Sequence, residues 1–408
     1  MYPIAKLRIQ ALKLVTKVLP FPKPFTFVGP DSSLALCRDI ADAGVKSLVI
    51  FTDAPVLKLG LLDGILAALR EAGIKTDVFS DIEPDPGFET IEAGVAFLEQ
   101  KNAQAVLVVG GGSPMDAAKT IVACHANQCH PRKLVGLFKV RKHGLPLYAI
   151  PTTAGTGSEV TIAAVVSDRE AQTKLAIADP KLVPLKIALD PKLMLGLPPA
   201  ITAATGMDAL THAVEAYLCT LSNAETDQLA LDAAVTIVRN LPLAYAPNAD
   251  VNVRERMAVA SCMAGMAFTR VGLGYVHAIS HQLGGLYHIP HGLANSIVLP
   301  HVLEFSKSDC ATRLAALARA CKIRSKGADD MALADAFIAH VRKMNKSMGI
   351  PAVIDGLRLE DLDLIVERAF KEAHGTYAVP RYLAHSECIE LLSKMLPKSP
   401  SKASRKGL

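Results

Sequence analysis

Short apolar runs alternate with longer amphipathic stretches from residue 25 to about residue 195. Residues 47–53 (SLVIFTD), 105–111 (AVLVVGG) and 147–153 (LYAIPTT) have the length and hydrophobicity of strands that are buried on both faces. One helix is predicted around VLKLGLLDGILAALREAG, after the first strand, and another in SPMDAAKTIVACH, after the second. Strands that alternate with helices predict a mostly parallel, doubly wound α/β sheet with helices on both faces.

The pattern changes after residues 196–202 (GLPPAIT), because long helical periodicities then dominate and strand candidates nearly vanish. We place the boundary near Pro198 and expect an all-α second domain. The predicted segments are a basic N-terminal extension (1–24), an α/β nucleotide-binding domain (25–197), a helical metal-binding domain (198–396) and a disordered basic tail (397–408).

The charge of the chain is concentrated at its two ends. Residues 1–24 and 391–408 carry ten Lys and Arg residues and no acid, whereas the whole chain has a formal net charge of only +5. The main body is therefore mildly acidic, which argues against a nucleic-acid partner. Residues 4–19 could form a basic amphipathic helix, either packed on the body or, as the weaker alternative, in contact with a membrane surface.

No run of apolar residues reaches the length that crosses a bilayer, so no transmembrane segment is predicted. The eight cysteines form no CxxC pair and are interpreted as reduced thiols in a cytoplasmic protein. Residues 124–130 (CHANQCH) have a spacing that could hold a metal, but a helix end that runs into a loop is the preferred interpretation.

A glycine-rich turn follows the second predicted strand. Residues 110–116 (GGGSPMD) let an anion approach the backbone, and a helix that begins near Ser113 would present its free N–H groups to a phosphate. Asp53 ends the first strand, where a carboxylate can bind ribose hydroxyls and would repel a 2′-phosphate, favouring NAD over NADP. The alternative role for Asp53 is a helix N-cap.

Residues 151–161 (PTTAGTGSEVT) form a second polar loop, directly after the third strand. Four threonines and a serine in eleven residues are more than a solvated turn needs. We therefore expect this loop to contact phosphate and ribose groups.

Histidines and one aspartate predict a metal site in the helical part. Asp208 and His212 stand four residues apart in a helical pattern, which places both side chains on one helix face. Residues 277–301 contain five histidines, His277 and His281 again four apart, with His288, His291 and His301 following. Imidazoles with one carboxylate suit Fe, Zn, Co or Ni. The HxxxH spacing lacks the glutamate of the HExxH hydrolases.

Together these segments resemble the iron-containing (group III) alcohol dehydrogenase family over roughly residues 25–390. The motifs that carry the resemblance are GGGSPMDAAK, PTTAGTGSEVT, LPPAITAATGMDALTHAVEAY, VGLGYVHAISHQLGG and IPHGLANSIVLPHV. The resemblance implies an active site in the cleft between an N-terminal nucleotide domain and a C-terminal helical domain.

The resemblance also implies roles for individual residues. The implied metal ligands are Asp208, His212, His277 and His291. His281 is implied near the substrate, where it would carry protons. Implied contacts to NAD come from Asp53, Gly111, Gly112, Ser113, Asp116, Thr152, Thr153, Thr156, Thr161 and Lys174.

The predicted function is a metal-dependent, NAD-linked alcohol dehydrogenase acting on a small alcohol or aldehyde, with Fe(II) preferred and Zn(II) the alternative metal. A homodimer or larger homo-oligomer is expected from the resemblance. Alternatives are a hydroxyacid–oxoacid transhydrogenase of the same family, a lyase similar to dehydroquinate synthase, and a non-catalytic metal or nucleotide binder. Arg270 departs from the asparagine frequent in the family and could favour an acidic substrate.

Overall fold

A six-stranded sheet organises the N-terminal part of the chain, and every hydrogen-bonded pair of its strands is parallel. The structure, a computed structural model, describes residue 9 and residues 21–397. The strands are β1 (Phe25–Val28), β2 (Ser47–Phe51), β3 (Lys75–Phe79), β4 (Ala105–Gly110), β6 (Leu147–Pro151) and β9 (Lys186–Leu189). They lie in the order β1-β9-β6-β4-β2-β3, so the three predicted strands are its adjacent members β2, β4 and β6.

Both faces of this sheet are covered. On β2, Val49 and Phe51 enter one hydrophobic core, whereas Leu48 and Ile50 enter a second core on the opposite face. All six residues of β4 are buried, as expected for a central strand between two helix layers. The predicted doubly wound α/β class is confirmed.

Five helices accompany the strands. Their bounds are α1 (Ser32–Asp42), α2 (Ala54–Lys58), α3 (Asp63–Glu71), α4 (Phe88–Lys101) and α5 (Gly112–Asn127). The single helix predicted after β2 was wrong, because α2 and α3 are separate. Gly60 lies between them with φ of 68°, a left-handed conformation that interrupts the helix and that glycine adopts readily.

A small second sheet, absent from the sequence prediction, lies beside the main one. It consists of β5 (Gly136–Leu137), β7 (Ala163–Asp168) and β8 (Thr173–Ala178) in the order β5-β8-β7, and β7 pairs antiparallel with β8. Burial alternates along β7, as in a half-exposed hairpin strand.

The C-terminal part is helical, and the described residues 199–397 contain no strand. Its helices are α6 (Pro199–Leu218), α7 (Ala224–Tyr245), α8 (Val251–Val271), α9 (Tyr275–Tyr287), α10 (His291–Ala320), α11 (Asp330–Ser347), α12 (Leu362–Ala373) and α13 (His385–Ser393). Pro199 occupies the first turn of α6, where its missing N–H leaves no hydrogen bond unmade. The predicted helical second domain is confirmed as a fold class.

Two further predictions concern the membrane and the chain ends. Within the described part of the chain, no single helix has the length and hydrophobicity to cross a bilayer; α8 and α9 pass such a test only as a pair bent by 102°. The helix predicted over 4–19 lies outside the described residues apart from Ile9, and so does the tail beyond Pro397.

Candidate active site

The segments that follow β4 and β6 line a cavity of about 790 Å³, and α6, α8, α9 and α10 form much of its other wall. The chain forms β3 before it crosses back to form β4 on the other side of β2, so the strand order reverses here. In open α/β sheets, ligands bind at such a switch point.

Eleven of the fifteen predicted site residues line this cavity. They are Gly112, Ser113, Asp116, Thr156, Thr161, Lys174, Asp208, His212, His277, His281 and His291. Four lie outside its lining: Asp53, Gly111, Thr152 and Thr153.

Four side chains from three helices form the centre that we call the metal cluster: Asp208, His212, His277 and His291. Asp208 and His212 lie one turn apart on α6, His277 is on α9, and His291 is the first residue of α10. One potential ligand atom from each residue lies within 4.8 Å of those from the other three. The helices thus bring together residues up to 83 positions apart in the sequence.

The environment of the metal cluster keeps its imidazoles neutral. The rings of His212 and His277 stack 4.6 Å apart, and Phe268 covers the other ring face of His212 at 4.4 Å. Burial lowers the pKa of His212, His277 and His291, and the neighbouring histidines lower those of His277 and His291 further. A neutral imidazole keeps the nitrogen lone pair that binds a cation.

Glu215 fixes the tautomer of one of these histidines. Its Oε2 lies 2.5 Å from Nδ1 of His277, and its Oε1 accepts a hydrogen bond from the backbone N–H of Val276 at 2.8 Å. Gly274 makes room, because a Cβ there would approach Oε1 to 2.7 Å. Burial raises the pKa of Glu215 to about 8. When the proton shared by this pair is on Nδ1, as a metal on Nε2 would favour, Glu215 holds His277 in the tautomer that binds a metal, as in carboxylate–histidine–metal arrangements.

The side-chain amide of Asn295 lies where acceptor atoms of the metal cluster converge. Its amide nitrogen donates to Oδ1 of Asp208 at 2.7 Å and lies 3.0 and 3.1 Å from Nε2 of His277 and His291. Three acceptor atoms thus converge on one amide group that has two hydrogens. Three neutral imidazoles and a carboxylate whose potential ligand atoms lie within 4.8 Å of one another fit a divalent cation.

His281 lies beside the metal cluster with a carboxylate behind it. Its ring stacks on that of His291 at 5.2 Å, and its Nδ1 lies 2.7 Å from Oε1 of Glu372. The same carboxylate accepts hydrogen bonds from Tyr377 at 2.8 Å and Gln282 at 3.1 Å. Glu372 orients His281, so that Nε2 remains available on the cavity side.

Sequence reasoning missed Glu215, Asn295 and Glu372. Glu215 stands three residues after His212 and Asn295 four residues after His291, so helical spacing could have indicated both. Glu372 carries no such signal, because it reaches His281 only through the packing of α12 on α9, 91 residues away in sequence.

The glycine-rich turn before α5 has both a packing role and an open edge. A Cβ at Gly112 would approach Thr156 to 2.6 Å, and one at Gly110 would meet the ring of Pro114 at 2.6 Å. The turn lies where α5 begins, and Gly112 and Ser113 face the cavity. The N-terminus of α5 is therefore positioned to meet an anionic group.

Several polar groups of the loop of residues 151–161 form hydrogen bonds with residues of α5 inside the protein. The ammonium group of the buried Lys119 lies within 3.0 Å of four oxygens, supplied by Ser158, Thr161 and Ala163. Burial lowers the pKa of Lys119 to about 8. Asp116 accepts hydrogen bonds from Ser158 at 2.6 Å and Val165 at 2.9 Å. We call Lys119, Asp116, Ser158 and Thr161 the lysine cluster.

Glycines of the same loop serve close packing on the helical part. Gly157 has φ of 61°, and a Cβ there would approach the Cα of Gly265 on α8 to 2.9 Å. A Cβ at Gly155 would meet Thr205 on α6 at 2.7 Å. These two glycines allow the α/β part and the helices to meet closely along one wall of the cavity.

Asp53 is the N-cap of α2, where its carboxylate accepts a hydrogen bond from the N–H of Val56 at 2.8 Å. This is the alternative role considered for it, and one carboxylate oxygen remains outside that bond. Lys174 is on β8 and pairs with Asp85 at 2.6 Å. Asp53 follows β2, which borders the switch point, and Lys174 lines the cavity.

The cysteine–histidine segment of residues 124–130 is a helix end, as preferred. Helix α5 ends at Asn127, and Nδ1 of His130 accepts a hydrogen bond from the N–H of Arg132. In the described part of the chain, the metal cluster is the single group of such residues with metal-binding geometry. All eight cysteines are free, as predicted.

Comparison with known proteins identifies the family. The sequence profile described as iron-containing alcohol dehydrogenase matches residues 23–191, and that of the C-terminal part of the Fe-containing alcohol dehydrogenase family matches residues 202–396. The chain therefore belongs to the iron-containing alcohol dehydrogenase family. This confirms the predicted family and class of enzyme, an oxidoreductase that acts on alcohols.

Individual relatives agree with this assignment. The chain is 36% identical to the NAD-dependent methanol dehydrogenase of Bacillus methanolicus, over 92% of its own length and 99% of the relative's. It is also 36% identical to the NADPH-dependent butanol dehydrogenase of Clostridium saccharobutylicum, over 84% and 90%. The solved alcohol dehydrogenase from Oenococcus oeni superposes with a TM-score of 0.89 at 33% identity, covering 93% and 100%.

Proposed function

We propose that this chain is a metal-dependent, NAD-linked dehydrogenase that interconverts small alcohols and aldehydes, with residues 25–197 and 198–396 as its two domains. The observation that carries the proposal is the convergence of four potential ligand atoms within 4.8 Å of one another, in the wall of the cavity that begins at the glycine-rich turn. An oxidoreductase of this family needs both a nicotinamide and an oxygen-binding centre, and residues suited to each line this cavity.

Asp208, His212, His277 and His291 would hold the metal. A divalent ion there supplies a Lewis acid for the oxygen of the substrate, and a nicotinamide supplies the hydride donor or acceptor. The family name supports Fe(II), and the donor set also suits Zn(II).

The remaining residues bind the cofactor, orient the substrate and carry the proton. The N-terminus of α5, with Gly111, Gly112 and Ser113, would meet the pyrophosphate, and Asp116, Thr152, Thr153, Thr156, Thr161 and Lys174 would surround the cofactor. Asp53 at the end of β2 would bind the adenosine ribose and disfavour NADP. His281, oriented by Glu372, would give or take the proton of the hydroxyl group. A cytoplasmic homo-oligomer remains our prediction for its assembly and location.

The test is NADH oxidation against a panel of short aldehydes and oxoacids, with metal-free protein reloaded separately with Fe(II) and Zn(II). We expect metal-dependent turnover with simple aldehydes, and lower kcat/KM with NADPH than with NADH. Turnover that requires a hydroxyacid and an oxoacid together would instead establish the transhydrogenase. No turnover across the panel would contradict the proposal.

A further inference from the structure

The lysine and arginine side chains of the cavity wall are each paired with a carboxylate. Among the described residues that line it, the cations besides histidine are Lys174 and Arg270. Lys174 pairs with Asp85, which also lines the cavity. Arg270 is the other cation, and its pairing determines how strongly the cavity wall attracts an anionic substrate.

Arg270 lies in the last turn of α8 and lines the same cavity as the metal cluster. Phe268, two residues earlier on the same helix, stacks on His212, and both Phe268 and Arg270 line the cavity. The side chain of Arg270 is 20% exposed, and its guanidinium group lies 5.9 Å from the ring centre of Phe21. A substrate that reaches the metal cluster thus shares the cavity with this guanidinium group.

Glu225 pairs with Arg270 from the first turn of α7 and shares its carboxylate with the exposed Lys23. Its Oε2 lies 2.5 Å from Nη1 of Arg270, and its Oε1 lies 2.9 Å from Nζ of Lys23. Asn223 caps the helix and accepts a hydrogen bond from the N–H of Glu225, which fixes the backbone there. Hydrogen bonds from Lys23 and Arg270 hold the pKa of Glu225 below its ordinary value, so it is ionised at neutral pH.

We propose that Glu225 masks the charge of Arg270 and thereby makes the cavity select uncharged alcohols and aldehydes over those that carry a carboxylate. An ion pair presents a short dipole to the substrate, whereas an unpaired guanidinium group would attract a carboxylate directly. This inference rests on the proposed dehydrogenase function. It reverses the expectation that Arg270 by itself favours acidic substrates.

The experiment compares two aldehydes of equal chain length, butanal and 4-oxobutanoate, in the metal-loaded full chain. The quantity measured is the ratio of kcat/KM for 4-oxobutanoate to that for butanal, with NADH as cofactor. In Glu225→Gln we expect the ratio to rise about fivefold, the effect of one unmasked charge near the protein surface. At high salt the increase should shrink, because screening weakens the attraction.

Two further variants show that the effect acts through Arg270. The double variant Glu225→Gln with Arg270→Gln should return the ratio to the wild-type value or below it. Lys23→Gln, which leaves the Arg270–Glu225 pair in place, should change the ratio less than twofold. Glu225→Ala provides an independent removal of the carboxylate and should raise the ratio as Glu225→Gln does.

The outcomes separate this inference from the function on which it rests. If wild-type protein reduces butanal but neither Glu225 variant raises the ratio, masking by Glu225 is refuted and the dehydrogenase proposal stands. An increase that persists in the double variant would also refute it, because Arg270 would not be the cause. If wild-type protein reduces neither aldehyde, the proposed function and the inference fail together.

Discussion

The metal cluster and the lysine cluster both border the cavity, but they use polar side chains in opposite ways. In the metal cluster, three acceptor atoms converge on the single amide group of Asn295. In the lysine cluster, the ammonium group of Lys119 is surrounded by four oxygens, and both carboxylate oxygens of Asp116 accept hydrogen bonds. Acceptors that converge on a neutral amide indicate a place for a cation, whereas acceptors that already surround an ammonium group indicate a structural junction.

This difference predicts that substitutions in the two clusters fail in different ways. Those in the metal cluster should remove metal and turnover while the fold persists. Those in the lysine cluster should lower the free energy of unfolding, because a buried polar network loses a member. Four substitutions test the distinction.

The largest effect should come from His277→Ala. Loss of one of three imidazoles should remove the metal and reduce turnover below detection, while the midpoint of thermal unfolding of the metal-free protein stays close to that of metal-free wild type. Metal content by mass spectrometry and NADH oxidation measure the two effects. His288→Asn, at an exposed left-handed position, is the matched control and should keep both metal and activity. Wild-type metal content in His277→Ala would contradict the ligand assignment.

Lys119→Met should act on stability. It leaves four buried oxygens without the ammonium group that donates to them and removes the cation that lowers the pKa of Asp116, so the free energy of unfolding should fall by about 3 kcal/mol. Chemical denaturation measures the loss, and Lys133→Met, an exposed lysine after α5, is the control. Stability equal to that of the control would show that the lysine cluster is not a structural junction.

Glu159 adds a pH dependence to the same region. Burial raises its pKa from 4.5 to about 7, so between these values the folded state binds more protons than the unfolded state. Stability should therefore fall as the pH rises from 4.5 to 7, by up to about 3 kcal/mol from this group. Glu159→Gln should remove that part of the slope, and Glu170→Gln, an exposed glutamate nearby, should not. Identical slopes in both variants would be the contrary result.

The smallest of the four effects should follow from Glu215→Gln. The amide keeps the shape of the side chain but replaces one of the two oxygens that contact the N–H of Val276 and Nδ1 of His277 with an NH2 group, so metal affinity should fall about tenfold. Competition with a metal chelator measures it, with Glu367→Gln on α12 as the control. Unchanged affinity would mean that Glu215 serves packing alone.

Part of this arrangement could be predicted from the sequence, because it depends on local spacing. Asp208 and His212 share a helix face, and the three apolar runs became the adjacent strands β2, β4 and β6. The pairing of Glu372 with His281 could not be predicted in this way, because it depends on how two distant helices pack.

The loop of residues 151–161 shows the other reason for incomplete prediction. Its hydroxyls and glycines were interpreted as ligands for a nucleotide, yet Gly157 is required by its contact with Gly265, and Thr161 contacts Lys119. The same residue types serve tertiary packing and ligand binding, and the sequence does not distinguish the two. The small second sheet was missed because its two longer strands, β7 and β8, are only half buried.

The most direct test of the central claim is a titration of metal-free protein with Fe(II) under anaerobic conditions, with NADH-dependent reduction of an aldehyde measured at each step. If the four side chains form one catalytic metal site, activity should start near zero and rise in proportion to added metal until one ion is bound per chain. Full activity without metal, or a rise that ends at a different number of ions per chain, would contradict the account.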